Sequence, residues 1–202
     1  MASDEKHMEN HQHQFEHDNA DGWETQPPYQ RPDEATEKRE SFEKKVHGSC
    51  HCGQVQYWLS KDKPLASKYC HCIDCKKIHG APFQWAAIFQ KTDLAFENGV
   101  KGLRFYKTSS KKNEHVLPCK VGCAECGSWI MDEDKLPGSY QSPGRKMILV
   151  FPTLLNLDTP QLRENFQPQS HIFYPSRVVD IPDGKPKWTK LDESSELMKD
   201  EA

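Results

Sequence analysis

The chain has 202 residues, of which 35% are hydrophobic and 28% charged, with a mean hydropathy of -0.88, which predicts one modest core with solvated appendages. No run of about 18 apolar residues occurs, and residues 1–10 lack the apolar stretch of a signal peptide, so neither a membrane span nor export is expected and an intracellular protein, cytoplasmic or nuclear, is left. Charge is uneven under the overall -3: residues 1–45 carry -6, residues 190–202 carry -3 and the middle, 46–189, carries +6, enough to draw an anionic small molecule but no case by itself for nucleic acid.

Residues 1–45 hold only nine hydrophobics, too few to offset ordering entropy, and are expected to form a disordered acidic tail. Its histidines His7, His11, His13 and His17 could gather a metal, or could simply belong to a hydrophilic segment. From Val46 the pattern becomes short extended stretches. Val55, Tyr57 and Leu59 alternate with polar neighbours, and 83–89, 103–106, 147–151, 171–174 and 177–181 are β-rich runs. Pairs such as Asn98-Gly99, Lys101-Gly102, Pro137-Gly138, Pro143-Gly144 and Asp183-Gly184 punctuate them. Helix is scarce. One should begin with Asp158 or Thr159 as N-cap and Pro160 at the first helical position, placing Leu162 and Phe166 on one face, and a short turn should cover 73–79. The fold class is mainly β with a domain over 46–189, followed by a disordered acidic tail, 190–202.

All eight cysteines fall between positions 50 and 126. In a reducing compartment such clustering points to metal, because a thiolate is a strong zinc ligand. The Cys123 to Cys126 spacing is that of a zinc knuckle, and Gly127 permits the bend beyond it. A second pair is needed, and Cys50 and Cys52, followed by Gly53, can supply it as a closed four-thiolate structural site.

The middle group is chemically different, because Cys70, Cys72 and Cys75 leave zinc one ligand short. An open position marks a catalytic site where water or a substrate thiol binds. Three completions stay open: Cys119 as a fourth ligand that closes the site, or His71 or His79 in the shell.

These blocks resemble a known family. Gly48-Ser49-Cys50-His51-Cys52-Gly53-Gln54-Val55, Tyr69-Cys70-His71-Cys72-Ile73-Asp74-Cys75-Lys76-Lys77 with Gly80, and Cys123-Ala124-Glu125-Cys126-Gly127 are similar to the glutathione-dependent formaldehyde-activating enzymes, a family that includes the centromere protein V domain. Residues 130–133, 147–153 and 171–184 look similar to a fungal-type branch. The resemblance implies a β-tent of small antiparallel sheets stapled by two zinc ions per chain. It assigns Cys50, Cys52, Cys123 and Cys126 to the structural zinc, and Cys70, Cys72 and Cys75 to the catalytic zinc. It also implies carbon-sulfur lyase chemistry, joining glutathione and formaldehyde as S-hydroxymethylglutathione. Cys119 is additional to the simplest family pattern.

A thiolate held at such a zinc would attack an aldehyde carbon, and three anionic ligands suit thiol exchange better than hydrolysis. Glutathione's carboxylates have Lys76, Lys77, Arg104, Lys111, Lys112, Arg145 and Lys146 as candidate partners. His171 reads as a histidine satisfied within a strand before it reads as an acid or base. Phe83, Trp85, Phe89 and Trp129 read as core before pocket. Two other functions compete with the lyase: a non-enzymatic zinc-stabilised module that contacts chromatin or protein, and metal buffering by the tail and thiols.

Overall fold

A computed structural model describes residues 27–33, 42–106, 119–133 and 147–199. His7, His11, His13, His17, Lys111, Lys112, Arg145, Lys146 and the turns at Pro137 and Pro143 lie outside the described residues. Among the described residues ten strands form two sheets. β1 (Val46–Ser49), β2 (Gln56–Leu59) and β5 (Leu94–Phe96) make a three-stranded antiparallel sheet in the order β1-β2-β5. The larger sheet has the order β10-β3-β4-β9-β8-β7-β6, built from β3 (Ala66–Cys70), β4 (Gln84–Gln90), β6 (Leu103–Tyr106), β7 (Cys119–Cys123), β8 (Trp129–Glu133), β9 (Met147–Val150) and β10 (Ser170–Ile172). Its pairs are antiparallel except for β10 beside β3. Among the described residues two short helices, α1 (Ile73–His79) and α2 (Pro160–Asn165), pack with these sheets.

Side-chain alternation gives the large sheet two different faces. Ala87, Phe89, Val121, Met131 and Val150 point toward the small sheet, where they meet Tyr57, Leu59, Phe96 and Phe166 in one core. Gln84, Lys120 and Asp132 take the intervening positions, and their side chains meet one another. α1 contributes to this second group, since His79 contacts Lys120 and the Ile78 carbonyl accepts from Trp129 Nε1 at 3.3 Å.

Thr159 caps α2, its hydroxyl accepting from Leu162 N–H at 3.1 Å, with Pro160 in the first turn and Phe166 fully buried beyond it, as the sequence predicts. The expected strand over 177–181 does not form. Val178 and Val179 are exposed, Arg177 pairs with Asp180, and the Ile181 N–H is held by the Tyr174 hydroxyl at 2.8 Å instead of a ladder partner. The run 171–174 is also cut short, because Phe173 takes φ 54, a left-handed conformation that cannot continue a strand.

Both flanks contribute to the packed unit. Tyr29 lies in the core, stacked on Phe96 and donating to the Glu133 carboxylate, which also receives buried Lys91. At the other end Trp188 bridges to Leu197 and Asp192 pairs with Lys68. Among the described residues no helix is long and apolar enough to cross a membrane.

Candidate metal centres

The first centre is built from two hairpin loops of the same design. The β1-β2 loop carries Cys50 and Cys52 and closes with Cys50 N–H to Val55 O at 3.0 Å; the β7-β8 loop carries Cys123 and Cys126 and closes with Cys123 N–H to Ser128 O at 2.8 Å. Each loop turns on a glycine with φ +77, Gly53 and Gly127, a conformation that a side chain would strain. The four Sγ atoms lie within 4.8 Å of one another, with 3.5 Å between Cys50 and Cys52 and 3.8 Å between Cys52 and Cys123. Arg104 supports the second loop by donating to the Gly127 carbonyl at 2.9 Å while stacking on Trp129. Without a cation the sulfurs resist sharing charge. The Gln54 amide favours the Cys52 thiolate, but desolvation and the neighbouring Cys50, Cys126 and Cys123 sulfurs push its pKa up to about 12. Cys126 is opposed by desolvation yet served by Ser128 and Cys52, and comes down to about 5.

The second centre joins the end of β3 to α1. Cys70 closes the strand, Cys72 is the N-cap of the helix, and Cys75 sits in its first turn, donating its N–H to Cys72 Sγ at 3.2 Å. Their sulfurs also lie within 4.8 Å of one another, and neighbouring sulfurs raise the thiols: Cys70 by Cys72 and Cys75 by Cys70. Cys119, His71 and His79 join neither group. All three cysteines are buried, in a cluster with Ile172 and Phe173. By contrast, Cys52 of the first centre is exposed.

Residues 45–176 match the family model of the glutathione-dependent formaldehyde-activating enzymes, a span covering both cysteine centres and most of the sheet framework. The chain belongs to this family. No protein of curated function matches it. A solved Rhodobacter sphaeroides protein is similar over 60% of this chain and 96% of its own, at 21% identity and a TM-score of 0.42.

In this formaldehyde-activating family member, the histidine between Cys70 and Cys72 faces away from the sulfurs. His71 Nε2 lies 2.9 Å from His171 Nδ1, and His171 Nε2 lies 3.1 Å from both Asp183 oxygens. A carboxylate can only accept, so His171 carries its hydrogen on Nε2 and its Nδ1 accepts from His71. Both histidines are fully buried, and desolvation lowers their pKa, His71 to about 4. His171 is thus the satisfied strand histidine that the sequence suggests. Beyond Tyr174, whose ring packs on both histidines, an open groove of about 1050 Å³ is lined by Arg177, Lys187 and Thr189 among others. Phe89 is core and Trp85 packs on it with Nε1 bonded to Ser67; Phe83 packs instead on Tyr69 and His71. Lys76 donates to the Ser176 carbonyl and so ties α1 to the segment after β10.

Sequence reasoning misses two buried ion pairs made by consecutive residues of β8. Asp132 meets Lys120 at 2.8 Å on one face, and Glu133 meets Lys91 and Tyr29 on the other. The signal for them is a pair of acids ending an apolar run, Trp129-Ile130-Met131-Asp132-Glu133, where alternation sends them to opposite faces.

Proposed function

We propose that the chain is a zinc-dependent carbon-sulfur lyase that joins glutathione and formaldehyde as S-hydroxymethylglutathione and separates them again. The observation that carries this reading is the inequality of the two centres: four sulfurs meet in one and three in the other, with Cys119, His71 and His79 outside both. The donor sets fit zinc. Zinc-sulfur bonds of about 2.3 Å put tetrahedral sulfurs about 3.8 Å apart, and two of the separations at the first centre are 3.5 and 3.8 Å. Cys50, Cys52, Cys123 and Cys126 would hold a structural ion, and Cys70, Cys72 and Cys75 a catalytic one with one position left for a substrate sulfur. Bound there, zinc supplies a soft Lewis acid that brings a thiol below its ordinary pKa of about 8.5.

The remaining work belongs to the chain. The capping bond from Cys75 N–H fixes the Cys72 sulfur, and Ile172 and Phe173 keep water from the reacting atoms. The groove beside Tyr174 offers Arg177 and Lys187 near a route for an anionic thiol. In the joining direction the thiol gives up its proton, the sulfur lone pair forms the bond to the aldehyde carbon, the carbonyl π pair moves onto oxygen, and that oxygen takes a proton. In the reverse direction the hydroxyl loses its proton, the carbon-sulfur bond breaks and sulfur keeps the pair, so no covalent nucleophile of the chain is needed. The test mixes zinc-loaded full-length protein with glutathione and formaldehyde and follows adduct exchange by NMR. Exchange faster than in buffer is expected, and exchange equal to buffer overturns the reading.

A further inference from the structure

We propose that the buried Lys120-Asp132 pair, with Gln84 and His79, forms an oxygen-binding site on the wall of the three-sulfur centre, where Asp132 Oδ1 accepts the hydroxyl of a thiol adduct. This rests on the thiol-adduct reading above and extends it to the oxygen end of the substrate.

The pair is 0% and 2% exposed at the side-chain level. Burying two charges costs desolvation that their attraction seldom repays, so a pair of this kind is weak evidence for stability and, beside a candidate metal centre, better evidence for a site. Its hydrogen bonds are almost completely specified. The three ammonium hydrogens of Lys120 have three acceptors: Asp132 Oδ2 at 2.8 Å, Gln84 Oε1 at 3.0 Å and His79 Nε2 at 3.2 Å. Gln84 Nε2 donates to the same Oδ2 at 3.3 Å. Asp132 Oδ1 is buried and receives nothing among the described residues. One strong acceptor is therefore left open in a network that otherwise closes, and a buried acceptor of this kind calls for a donor.

Three placements set the network against the sulfurs. Gln84 is the direct cross-strand partner of Cys70, so the two side chains share a face of the sheet. Lys120 and Asp132 are likewise direct partners on β7 and β8. His79 stands four residues after Cys75 in α1, on the same side of the helix. Burial opposes both charges of the pair, lifting the Asp132 carboxyl above its ordinary value against the pull of Lys120, while Asp132 more than offsets the burial of Lys120. The hydroxyl of a hydroxymethyl thioether is one carbon from its sulfur, so a ligand anchored by sulfur at this centre carries its oxygen close to the sheet face that Cys70 and Gln84 share. An acceptor oxygen left without a donor selects a hydroxyl there over a methyl.

The test uses cobalt-loaded full-length protein titrated with 2-mercaptoethanol and with 1-propanethiol, isosteric thiols that differ in the hydroxyl, read by the cobalt-thiolate absorption. The ratio of the two affinities is compared between the wild type and Lys120→Met/Asp132→Leu, which replaces both charges by apolar groups of similar size, and with Asp132→Asn as a second, isosteric variant. The expected result is an unchanged affinity for 1-propanethiol and a preference for 2-mercaptoethanol reduced about tenfold, the loss of one hydrogen bond to a charged group. A preference ratio equal to that of the wild type in the folded double variant overturns the proposal, and Asp132→Asn, which keeps a neutral acceptor oxygen, should fall between the two. A wild-type spectrum unmoved by both thiols overturns the open-centre reading itself, and the oxygen site with it.

Discussion

Metal removal from the four-sulfur centre is the perturbation whose size the structure fixes best. The two loops meet through their sulfurs and through a hydrogen bond from His51 N–H to Ser128 Oγ at 3.2 Å. One loop belongs to the three-stranded sheet and the other to the seven-stranded sheet, so an ion held by Cys50, Cys52, Cys123 and Cys126 would staple the two together. A structural zinc contributes about 10 kcal/mol or more, against a total stability of about 5–15 kcal/mol for an ordinary domain. At about 2–4 °C per kcal/mol for a domain of this size, loss of that ion lowers the melting temperature by roughly 20–40 °C. Differential scanning calorimetry with and without chelator measures the shift, and a colorimetric zinc indicator times the release. Release should be biphasic: the ion at Cys70, Cys72 and Cys75 leaves first while the fold persists, and the second leaves together with unfolding. A chelator that strips both ions while the melting temperature moves by less than about 5 °C refutes the staple.

Phe166→Ala removes a fully buried ring that packs on Phe89 at 5.8 Å, and should cost about 3–5 kcal/mol in urea unfolding; a cost under about 1 kcal/mol would contradict the position of the core. Lys120→Ala strands the Asp132 carboxylate and should cost about 3–5 kcal/mol, whereas Lys120→Met/Asp132→Leu should lie near the wild type; equal losses in both would show the pair to be stabilising in its own right. Tyr29→Phe leaves the Glu133 carboxylate with Lys91 but without the phenol and should cost about 1–3 kcal/mol, read by the same unfolding curves. Burial lowers His71 to about 4 and His79 to about 3, so between about pH 6.5 and 4 the unfolded chain takes up protons that the folded chain refuses, and stability should fall as pH falls through that window. Urea midpoints at saturating zinc follow this, and a His79→Gln variant should show a shallower fall; identical slopes would show that His79 contributes nothing to it.

Both cysteine groupings are legible in the sequence because chelating spacings and the glycines after them are local properties, as are α1 and α2, whose caps lie within a few residues of the helices they start. What the sequence conceals depends on contacts distant along the chain. The strand expected at 177–181 has β-branched residues, but no neighbour offers a ladder, and solvent-facing valines do not hold a strand alone. Tyr29 reads as part of a polar tail because composition averages over its neighbours, while a single aromatic with a buried carboxylate 104 residues away is enough to fasten its segment. Lys120 carries no signal of its own in the sequence, and only the pairing of β7 with β8 brings it to its acid. Spacing leaves the role of Cys119 open because it depends on how β7 sits relative to α1, and in the fold Cys119 lies outside both sulfur groups.

An ion held by Cys70, Cys72 and Cys75 should have room for a ligand the polypeptide does not supply, and the proposed function depends on that room. Cadmium-113 NMR of the fully loaded chain tests it most directly, because each ion reports its own sulfur count. Two resonances are expected, one unmoved by glutathione and one shifting downfield as a fourth sulfur joins Cys70, Cys72 and Cys75. Two resonances in the four-sulfur range that ignore added glutathione would contradict it.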